Sequence, residues 1–338
     1  MTAAPDRRPA GGSAEGGTVA GVDFGRTWLR LALGNRSGSV LAQERVPTGP
    51  DRRPGAVIPL LIEGLRRLCA AAGLAPSGLA AVAIGAPGPL DPDRGVLLRP
   101  ANLPGWDGVP LAALVEAALG APCRVENDAN LAALAEHRTG AGAGTRNFVY
   151  VTASSGIGAG LVFEGRLYRG SFGTAGELGH TVVDPSGPRC DCGNRGCLEA
   201  IASGTAIASR AERALAEAGS DADGPLGRRA AAGPLDGSAV AAAAAAGDPI
   251  AIGVLTSAAH QLGLALGGLV NLLGPDAIAV GGGVTQAGPL FWDALRRGLA
   301  AGSFPDILAR CRVGPAQLGQ DQGVMGAVAW AALAAGEG

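Results

Sequence analysis

Short apolar runs and glycine-rich turns alternate along the first fifty residues of the chain. Residues 19–24 form an apolar run that contains one acid, residues 29–33 alternate in polarity, and residues 35–38 have turn composition. Residues 39–46 then have room for a return strand. Because a half-buried strand exposes every second side chain, this pattern predicts three strands joined by tight turns.

The same arrangement recurs in the middle of the chain. Residues 148–151 are apolar, residues 153–158 are rich in Gly and Ser, and residues 159–163 are again mostly apolar, with a hairpin turn to follow. Two glycine-rich strand–turn–strand units of this kind indicate a duplicated fold.

The remaining pattern predicts strands and helices between and after these units. Buried strands are expected at residues 80–84, 124–126 and 277–280, and helices at residues 111–119, 128–138, 198–218, 238–247 and 322–335. Residues 219–237 are polar and rich in Gly and Pro, so they are interpreted as a loop.

One apolar run, residues 251–274, is long enough to be considered as a membrane span. His260, Gln261 and Asn271 interrupt it, and neither an aromatic belt nor a cationic flank bounds it. Asp248 and Pro249 form a good helix start ahead of it. A buried core helix is therefore predicted, and no association with a membrane.

Composition limits the classes of protein that remain. A chain of 338 residues with 47% hydrophobic residues can fold into two domains. Every basic residue is Arg, and the net charge of −2 gives no electrostatic footprint for nucleic acid. Residues 1–17 have the composition of a disordered tail and not of a signal peptide.

One His and three Cys fall within eighteen residues, at His180, Cys190, Cys192 and Cys197. This set suits a tetrahedral Cys3His zinc site, and the alternative is three incidental cysteines beside a surface histidine. The other cysteines are scattered, so a disulfide framework is not expected. Zinc thiolates suit a reducing compartment, which predicts a cytoplasmic location.

Two further patterns are typical of sites. Asp23, Gly25 and Thr27 can form a turn whose backbone amides bind phosphate, with Asp23 placed to hold Mg²⁺ through water, although an ordinary hairpin would have the same composition. Asn127 or Asp128 lies where a strand gives way to a helix. There, a carboxylate is favoured by the helix dipole, and a simple N-cap is the alternative.

Taken together, these segments resemble the ROK family (repressors, open reading frames and kinases) of sugar-binding proteins. The resemblance rests on a Gly-Glu-x-Gly-His segment at residues 176–180 and a Cys-x-Cys-Gly-x-x-Gly-Cys-Leu-Glu segment at residues 190–199. It implies that His180, Cys190, Cys192 and Cys197 hold structural zinc. It also implies that Glu177, His180 and Glu199 contact a sugar, His180 using one ring nitrogen for each task.

The same resemblance implies the remaining sugar and catalytic residues. The segment Glu-Asn-Asp-x-Asn at residues 126–130 matches the family pattern whose Asp is the catalytic base, which is Asp128 here. Other segments that match family signatures lie at residues 85–91 and 101–106. The sugar-binding residues implied in this way are Gly88, Asn102, Asn127, Asp128, Glu177, His180 and Glu199.

The resemblance also implies where ATP binds. The family pattern Asp-x-Gly-Gly-Thr corresponds to residues 23–27, but Arg26 replaces the second Gly. If that position requires a positive φ, Arg26 is strained, and its guanidinium either binds a phosphate or obstructs the nucleotide. The residues implied to contact the nucleotide are Asp23, Gly25, Arg26, Thr27, Ser155, Gly156, Gly281, Gly282 and Gly283.

The implied fold is the duplicated, ribonuclease H-like fold of the actin-like ATPases, with two lobes and a cleft between them. The predicted small lobe spans residues 18–121 and is joined by the C-terminal helix 320–338. The predicted large lobe spans residues 122–319 and contains a zinc loop at residues 180–197. The family favours homodimers and homotetramers.

The leading functional hypothesis is an ATP-dependent hexose kinase of the glucokinase type, which uses Mg²⁺ and acts at the C6 hydroxyl, with glucose as the first candidate. The alternative is a sugar-sensing transcriptional regulator or sensor without kinase activity. About eighteen residues precede the first strand, which is too few for a helix-turn-helix. A zinc-knuckle nucleic-acid binder is disfavoured by the charge.

Overall fold

The computed structural model describes residues 17–98, 100, 103–219 and 223–336. Within these ranges the chain forms two five-stranded sheets and a small two-stranded sheet. The strands are β1 (Val19–Phe24), β2 (Trp28–Gly34), β3 (Val40–Pro47), β4 (Ala81–Ala86), β5 (Leu90–Asp91), β6 (Val96–Leu97), β7 (Cys123–Asn127), β8 (Phe148–Ala153), β9 (Ile157–Phe163), β10 (Arg166–Tyr168), β11 (Ala277–Gly281) and β12 (Arg312–Pro315).

Eleven α-helices connect these strands in the described part of the chain. They are α1 (Pro54–Ala71), α2 (Leu111–Leu119), α3 (Asp128–Thr139), α4 (Leu198–Ala202), α5 (Gly204–Ala218), α6 (Pro225–Ala232), α7 (Gly237–Ala245), α8 (Pro249–Leu273), α9 (Pro289–Gly302), α10 (Pro305–Leu308) and α11 (Gln322–Gly336).

The two large sheets share one topology. The first has the order β3-β2-β1-β4-β7 and the second β10-β9-β8-β11-β12. In each, three consecutive strands pair antiparallel and the two that follow pair in parallel. The duplication predicted from the repeated strand–turn–strand pattern is therefore confirmed.

Each sheet is covered on both faces. Helices α1 and α2 share a core with one face of the first sheet, and α11 packs on the other. Helices α4, α5, α7, α8 and α9 cover one face of the second sheet, and α3 packs on its other face. Because both faces are buried, the central strands are almost continuously apolar, which explains why they are recognisable in the sequence.

Helices α3 and α11 link the two sheets. Helix α3 contacts β8 and β9 of the second sheet, whereas α11 contacts β1, β2 and β4 of the first, and the two helices pack on each other. Strand β7, which leads directly into α3, pairs with β4 in the first sheet. The first sheet thus continues beyond residue 121, where the sequence suggests a boundary.

Helix α8 is the one described helix that is long and apolar enough to span a membrane, by length and composition alone. It packs closely on α9, because Gly263 and Gly298 allow the two backbones to approach. A Cβ on Gly263 would lie 2.1 Å from the Leu295 carbonyl oxygen, and one on Gly298 would lie 2.0 Å from that of His260. Ten of its 25 residues are buried, in agreement with the predicted core helix.

Several predicted elements need correction. The predicted loop at residues 219–237 contains helix α6, and the helical region at residues 198–218 is divided at Ser203, whose hydroxyl accepts from Ala206 N and caps α5. Helices α1 and α9 and strand β12 were not predicted. The predicted disordered tail falls almost entirely on residues 1–16, which lie outside the described residues, as does Asn102.

Candidate functional site

The first turn of α3 carries the predicted catalytic acid. Strand β7 ends at Asn127, whose side-chain oxygen accepts from Ala129 N at 2.9 Å and from Asn130 N at 3.3 Å. Asp128 is the first helical residue, and its Oδ1 accepts from Ala129 N at 2.7 Å. Asn127 is therefore the N-cap, and the Asp128 carboxyl lies beside the amides of the first helical turn, which favour negative charge.

Asp128 lies within a cluster of acids. Its pKa is raised to about 7, mainly by burial and then by the nearby charges of Asp23 and Glu177, while the hydrogen bond from the Ala129 amide opposes the rise. Burial also raises the pKa of Asp23, which Arg30 opposes through an ion pair at 3.1 Å. Helix α11 passes against the Asp23 carboxyl, since a Cβ on Gly323 would lie 2.8 Å from Asp23 Cγ. A carboxyl with a pKa near neutrality suits a general base.

The predicted first phosphate turn joins β1 to β2. Gly25 N donates to the Trp28 carbonyl at 3.1 Å, and the Thr48 hydroxyl donates to the Gly25 carbonyl at 2.9 Å. Thr48 N also donates to the Thr27 carbonyl at 2.9 Å. These bonds fix the backbone of residues 25–27 from both sides.

Arg26 does not strain this turn. Among the described non-glycine residues only Glu164 has a positive φ, so Arg26 has an ordinary backbone conformation and the strain considered for it is not found. Its side chain is exposed. Arg26 and Thr27 border an open hollow of about 400 Å³ that Arg52 also lines, together with Pro47, Gly49 and Pro50.

The four predicted metal ligands converge. Their donor atoms all lie within 4.8 Å of one another. Cys190 Sγ is 3.6 Å from His180 Nδ1, and Cys192 Sγ is 3.6 Å from Cys197 Sγ. Ligands at zinc bond lengths would stand about 3.5–3.8 Å apart at the corners of a tetrahedron, so these residues fit a zinc ion. His180 Nε2 remains free to face Glu177 Oε2, at 3.9 Å.

Glu199 connects the cysteine loop to the second glycine-rich turn. Helix α4 begins directly after Cys197, and Glu199 lies in its first turn. Glu199 Oε2 accepts from Ile157 N at 2.8 Å, and a Cβ on Gly156 would lie 2.5 Å from the same oxygen. A side chain at position 156 would therefore displace this carboxylate.

Gly88 lies at the junction of the remaining predicted sugar contacts. A Cβ at this position would lie 3.0 Å from Asn127 Nδ2 and 3.7 Å from Glu177 Oε1. The α3 N-terminus and the Glu177 loop thus approach each other across Gly88. Burial raises the pKa of Glu177, His180 opposes this rise, and the charge of Glu199 adds to it, in agreement with this crowding of charged groups.

The predicted adenosine-side glycines lie against the second turn. Gly282 has φ 102°, and a Cβ there would lie 2.1 Å from the Ala153 carbonyl oxygen, so only Gly fits this position. A Cβ on Gly283 would lie 2.9 Å from Ser238 Oγ. Gly281 ends β11, which pairs with β8 and so brings residues 281–283 beside residues 152–156.

The second turn is also held by the start of α5. Thr205 Oγ1 donates to the Ser155 carbonyl at 2.8 Å, and Gly204 N donates to the Ser154 carbonyl at 2.6 Å. The carbonyls of this turn are therefore bound by protein, while the Ser155 side chain remains exposed.

Some residues of the site were not found from the sequence. Arg30, Thr205 and Arg169 have no motif around them. Arg30 acts on Asp23 across neighbouring strands, and the other two act through contacts between segments distant in the sequence. Glu126 lies inside the recognised motif at residues 126–130, but the only sequence feature that could have indicated its role is an acid within a predicted buried strand. It is fully buried and is ion-paired to Arg169 at 3.6 Å.

The topology and the site together define an α/β protein with the fold of sugar kinases. The family model described as "ROK family" matches residues 19–334. The chain therefore belongs to the ROK family, as the resemblance indicated.

Curated relatives include both kinases and repressors. The glucokinase of Streptomyces coelicolor is 34% identical over 250 residues, which cover 70% of this chain and 72% of that protein. The glucokinase of Halalkalibacterium halodurans is 35% identical over 58% of this chain, and the xylose repressor of Caldicellulosiruptor bescii is 33% identical over 57%. These two alignments span only 60% and 48% of the relatives' own lengths.

Solved structures extend over more of the chain. A ROK hexokinase from Thermus thermophilus has a TM-score of 0.78 at 36% identity, covering 95% of this chain and all of that one. A ROK family glucokinase from Streptomyces griseus, in complex with glucose and AMPPNP, has a TM-score of 0.78 at 33% identity, covering 93% and 99%. A ROK family transcriptional regulator, a homolog of the E. coli MLC protein, has a TM-score of 0.82 at 29% identity, covering 95% and 79%.

Proposed function

We propose that this protein is an ATP-dependent hexose kinase of the glucokinase type, which phosphorylates the C6 hydroxyl of glucose. One observation carries the proposal. Asp128, whose pKa is raised to about 7, lies among the predicted sugar contacts on one side and beside Asp23 of the predicted phosphate turn on the other. The glucokinases among its relatives support the same activity.

In this mechanism the sugar is oriented by side chains from three segments. Asn127 contributes from the start of α3, Glu177 and His180 from the loop that follows β10, and Glu199 from α4. A sugar with a hydroxyl in the wrong position would leave one of these buried side chains without a hydrogen-bond partner, at a cost of about 1–3 kcal/mol. This set of side chains therefore also selects among sugars. Gly88 and Asn102 complete the proposed sugar site.

Asp128 accepts the proton in the chemical step. As the C6 oxygen attacks the γ-phosphorus, its proton passes to the Asp128 carboxylate. The new O–P bond forms while the bond from the γ-phosphorus to the bridging oxygen breaks, and ADP leaves with the electron pair. The adjacent helix amides and the raised pKa make Asp128 a competent base near neutral pH.

The nucleotide is proposed to bind between two backbone turns. Residues Gly25, Arg26 and Thr27 and residues Ser155 and Gly156 contact the phosphates, and Gly281, Gly282 and Gly283 border the adenosine. Asp23 would hold Mg²⁺ through water, since Arg30 occupies one carboxylate oxygen and leaves the other. When bound, Mg²⁺ neutralises phosphate charge.

His180, Cys190, Cys192 and Cys197 are proposed to hold a structural zinc ion. Four protein ligands leave no position for a catalytic water, so the ion would stabilise the loop that presents Glu177 and the helix that presents Glu199.

Larger-scale organisation is also proposed. The two sheets and their helices would form two lobes that close on the substrates, with α3 and α11 between them. We further propose a cytoplasmic homodimer or homotetramer with neither a nucleic-acid nor a membrane partner.

A second candidate is a sugar sensor without kinase activity. It is favoured by the likeness to the transcriptional regulator, at a TM-score of 0.82, and by Arg26 in place of the expected glycine. Such a protein would bind a hexose but release no ADP.

Phosphorus NMR of the products tests the proposed chemistry. Incubation with Mg-ATP and glucose should yield a new phosphomonoester on C6, and Asp128→Asn should yield none while still binding glucose by calorimetry. Glucose binding by the wild-type protein without any phosphoester would support the sensor instead. Turnover retained by Asp128→Asn would remove Asp128 as the base.

A further inference from the structure

A buried ion pair lies directly behind the α3 N-terminus. Glu126, the residue before Asn127, is fully buried. Its Oε1 accepts from Asn127 N at 2.9 Å and from Asn130 Nδ2 at 2.9 Å. These two bonds fix the main chain and the first turn that carry Asn127 and Asp128.

The second oxygen of this carboxylate depends on a single cation. Glu126 Oε2 is buried without a hydrogen-bond partner among the described residues, and Arg169 Nη1 lies 3.6 Å from it. The pairing of Glu126 with Arg169 crosses between sheets, since Glu126 belongs to β7 of the first sheet and Arg169 follows β10 of the second. A buried carboxylate that lost its cation would be strongly destabilised.

The backbone of Arg169 is connected to the other side of the proposed sugar site. Its carbonyl oxygen accepts from Ala175 N at 3.1 Å, which closes the loop that leads to Glu177. One residue therefore contacts both the segment before Asn127 and the segment before Glu177, and these two segments meet across Gly88.

The Arg169 guanidinium is held in place by further groups and can be reached from solvent. It lies 5.7 Å from the Trp330 ring centroid and 3.7 Å from Asp93 Oδ1. Its side chain is 34% exposed and borders an open cavity of about 700 Å³. A small cation can thus reach the position of this guanidinium from the cavity.

We propose that Arg169 is a positioning residue for phosphoryl transfer. Through Glu126 it holds the first turn of α3, and through its own carbonyl it holds the Glu177 loop, so that the two sides of the sugar site keep one relative position. This inference rests on the proposed kinase function and adds a residue that contacts neither sugar nor nucleotide.

Chemical rescue of Arg169→Ala tests the proposal. The variant should lose about 10- to 100-fold in kcat and raise the KM for glucose, as expected when a reacting group is misplaced by about 1 Å, while the KM for ATP stays unchanged. Millimolar guanidinium, entering from the cavity, should restore part of the lost kcat. The matched control is Arg166→Ala, at an exposed arginine of β10 three residues before Arg169, which should show neither effect.

A double variant separates positioning from general damage. Glu126→Gln keeps an oxygen for Asn127 N and Asn130 Nδ2 but needs no cation, so Glu126→Gln with Arg169→Ala should be more active than Arg169→Ala alone. Additive losses in the double variant, or a loss in Arg169→Ala that guanidinium does not relieve, would overturn the proposal. A merely unstable variant would show a lowered Tm and unchanged KM values.

A readout independent of activity separates this inference from the kinase proposal. Amide hydrogen exchange of residues 123–139 should quicken in Arg169→Ala and slow again with guanidinium, while exchange in α8 stays unchanged. If the wild-type protein phosphorylates no hexose, the kinase proposal fails. Hydrogen exchange alone then tests the positioning role of Arg169. Unchanged exchange at residues 123–139 would refute its positioning role.

Discussion

The ionised carboxyl of Asp128 is expected to lower the free energy of unfolding of the protein. Its carboxyl is held among Asp23 and Glu177, and its pKa rises from 3.8 to about 7. In the unfolded chain the same group ionises near its ordinary value. Removing the charge in Asp128→Asn keeps the side-chain shape and an oxygen that can still accept from Ala129 N.

The size and sign of the effect follow from proton linkage. Because the folded-state pKa is above the unfolded value, the unfolded state ionises first as pH rises. The native protein therefore loses stability through the window from about pH 4 to about pH 7, by up to about 1.4 kcal/mol per pH unit. The full rise in pKa corresponds to about 4 kcal/mol. Asp128 keeps some contact with solvent, so we expect about 1–4 kcal/mol above pH 7.

Urea denaturation of both proteins across pH 4 to 8 measures this difference. Asp128→Asn should be more stable than the wild type at pH 8, should approach it at pH 4, and should lack turnover throughout. Equal stability at every pH, or a variant that is less stable at pH 8, would refute the view of Asp128 as a carboxylate held at an energetic cost.

Four further outcomes are expected. Wild-type kcat/KM for glucose should rise with pH through about 7, as Asp128 loses its proton, and a flat profile between pH 6 and 8 would contradict this assignment. Cys192→Ser should lose bound zinc by atomic absorption and bind glucose at least about tenfold more weakly, and unchanged zinc content would remove the cluster as a metal site. Arg26→Gly should change kcat less than about threefold, because Arg26 is exposed and unstrained; a gain of about a hundredfold would show that Arg26 obstructs ATP. Gly156→Ala should displace Glu199 and so weaken glucose binding about tenfold, as measured by calorimetry. Gly165→Ala is the comparison variant: no atom lies within 4 Å of its added Cβ, although its φ is positive.

The sequence was most informative where physical patterns are strong. Strands buried on both faces produce apolar runs, so β1, β4, β8 and β11 were found. The N-terminus of α3 follows from an Asn-Asp pair after a strand, and the Cys3His set follows from its spacing. These segments also carry the family motifs, which is why most of the candidate site could be listed by residue.

Other elements have weaker signals. Helix α1 begins at Pro54 and contains Pro59 near its start. Proline is typical of turns, so these two residues make the helical pattern of apolar positions harder to recognise in the sequence. Helix α6 has one buried residue, Leu226, and it is stabilised at its start by Asp248 Oδ2, which accepts from Leu226 N at 2.9 Å. Because that contact joins residues 22 positions apart, no local sequence pattern predicts it.

The pairs that assemble the site share this property. Arg169 meets Glu126 across two sheets, and Glu199 meets Ile157 across 42 residues. The strain considered for Arg26 depended on a backbone angle, which residue type alone does not determine. Geometry of this kind comes from tertiary packing and is absent from single-sequence patterns.

The most direct test of the central claim is a coupled ADP-release assay with Mg-ATP and a panel of hexoses and N-acetylhexosamines, run on the wild type and on Asp128→Asn. We predict sugar-dependent ADP release that is greatest with glucose and is lost in Asp128→Asn. No ADP release with any sugar, from protein that binds glucose and contains zinc, would contradict the kinase and leave a sugar sensor.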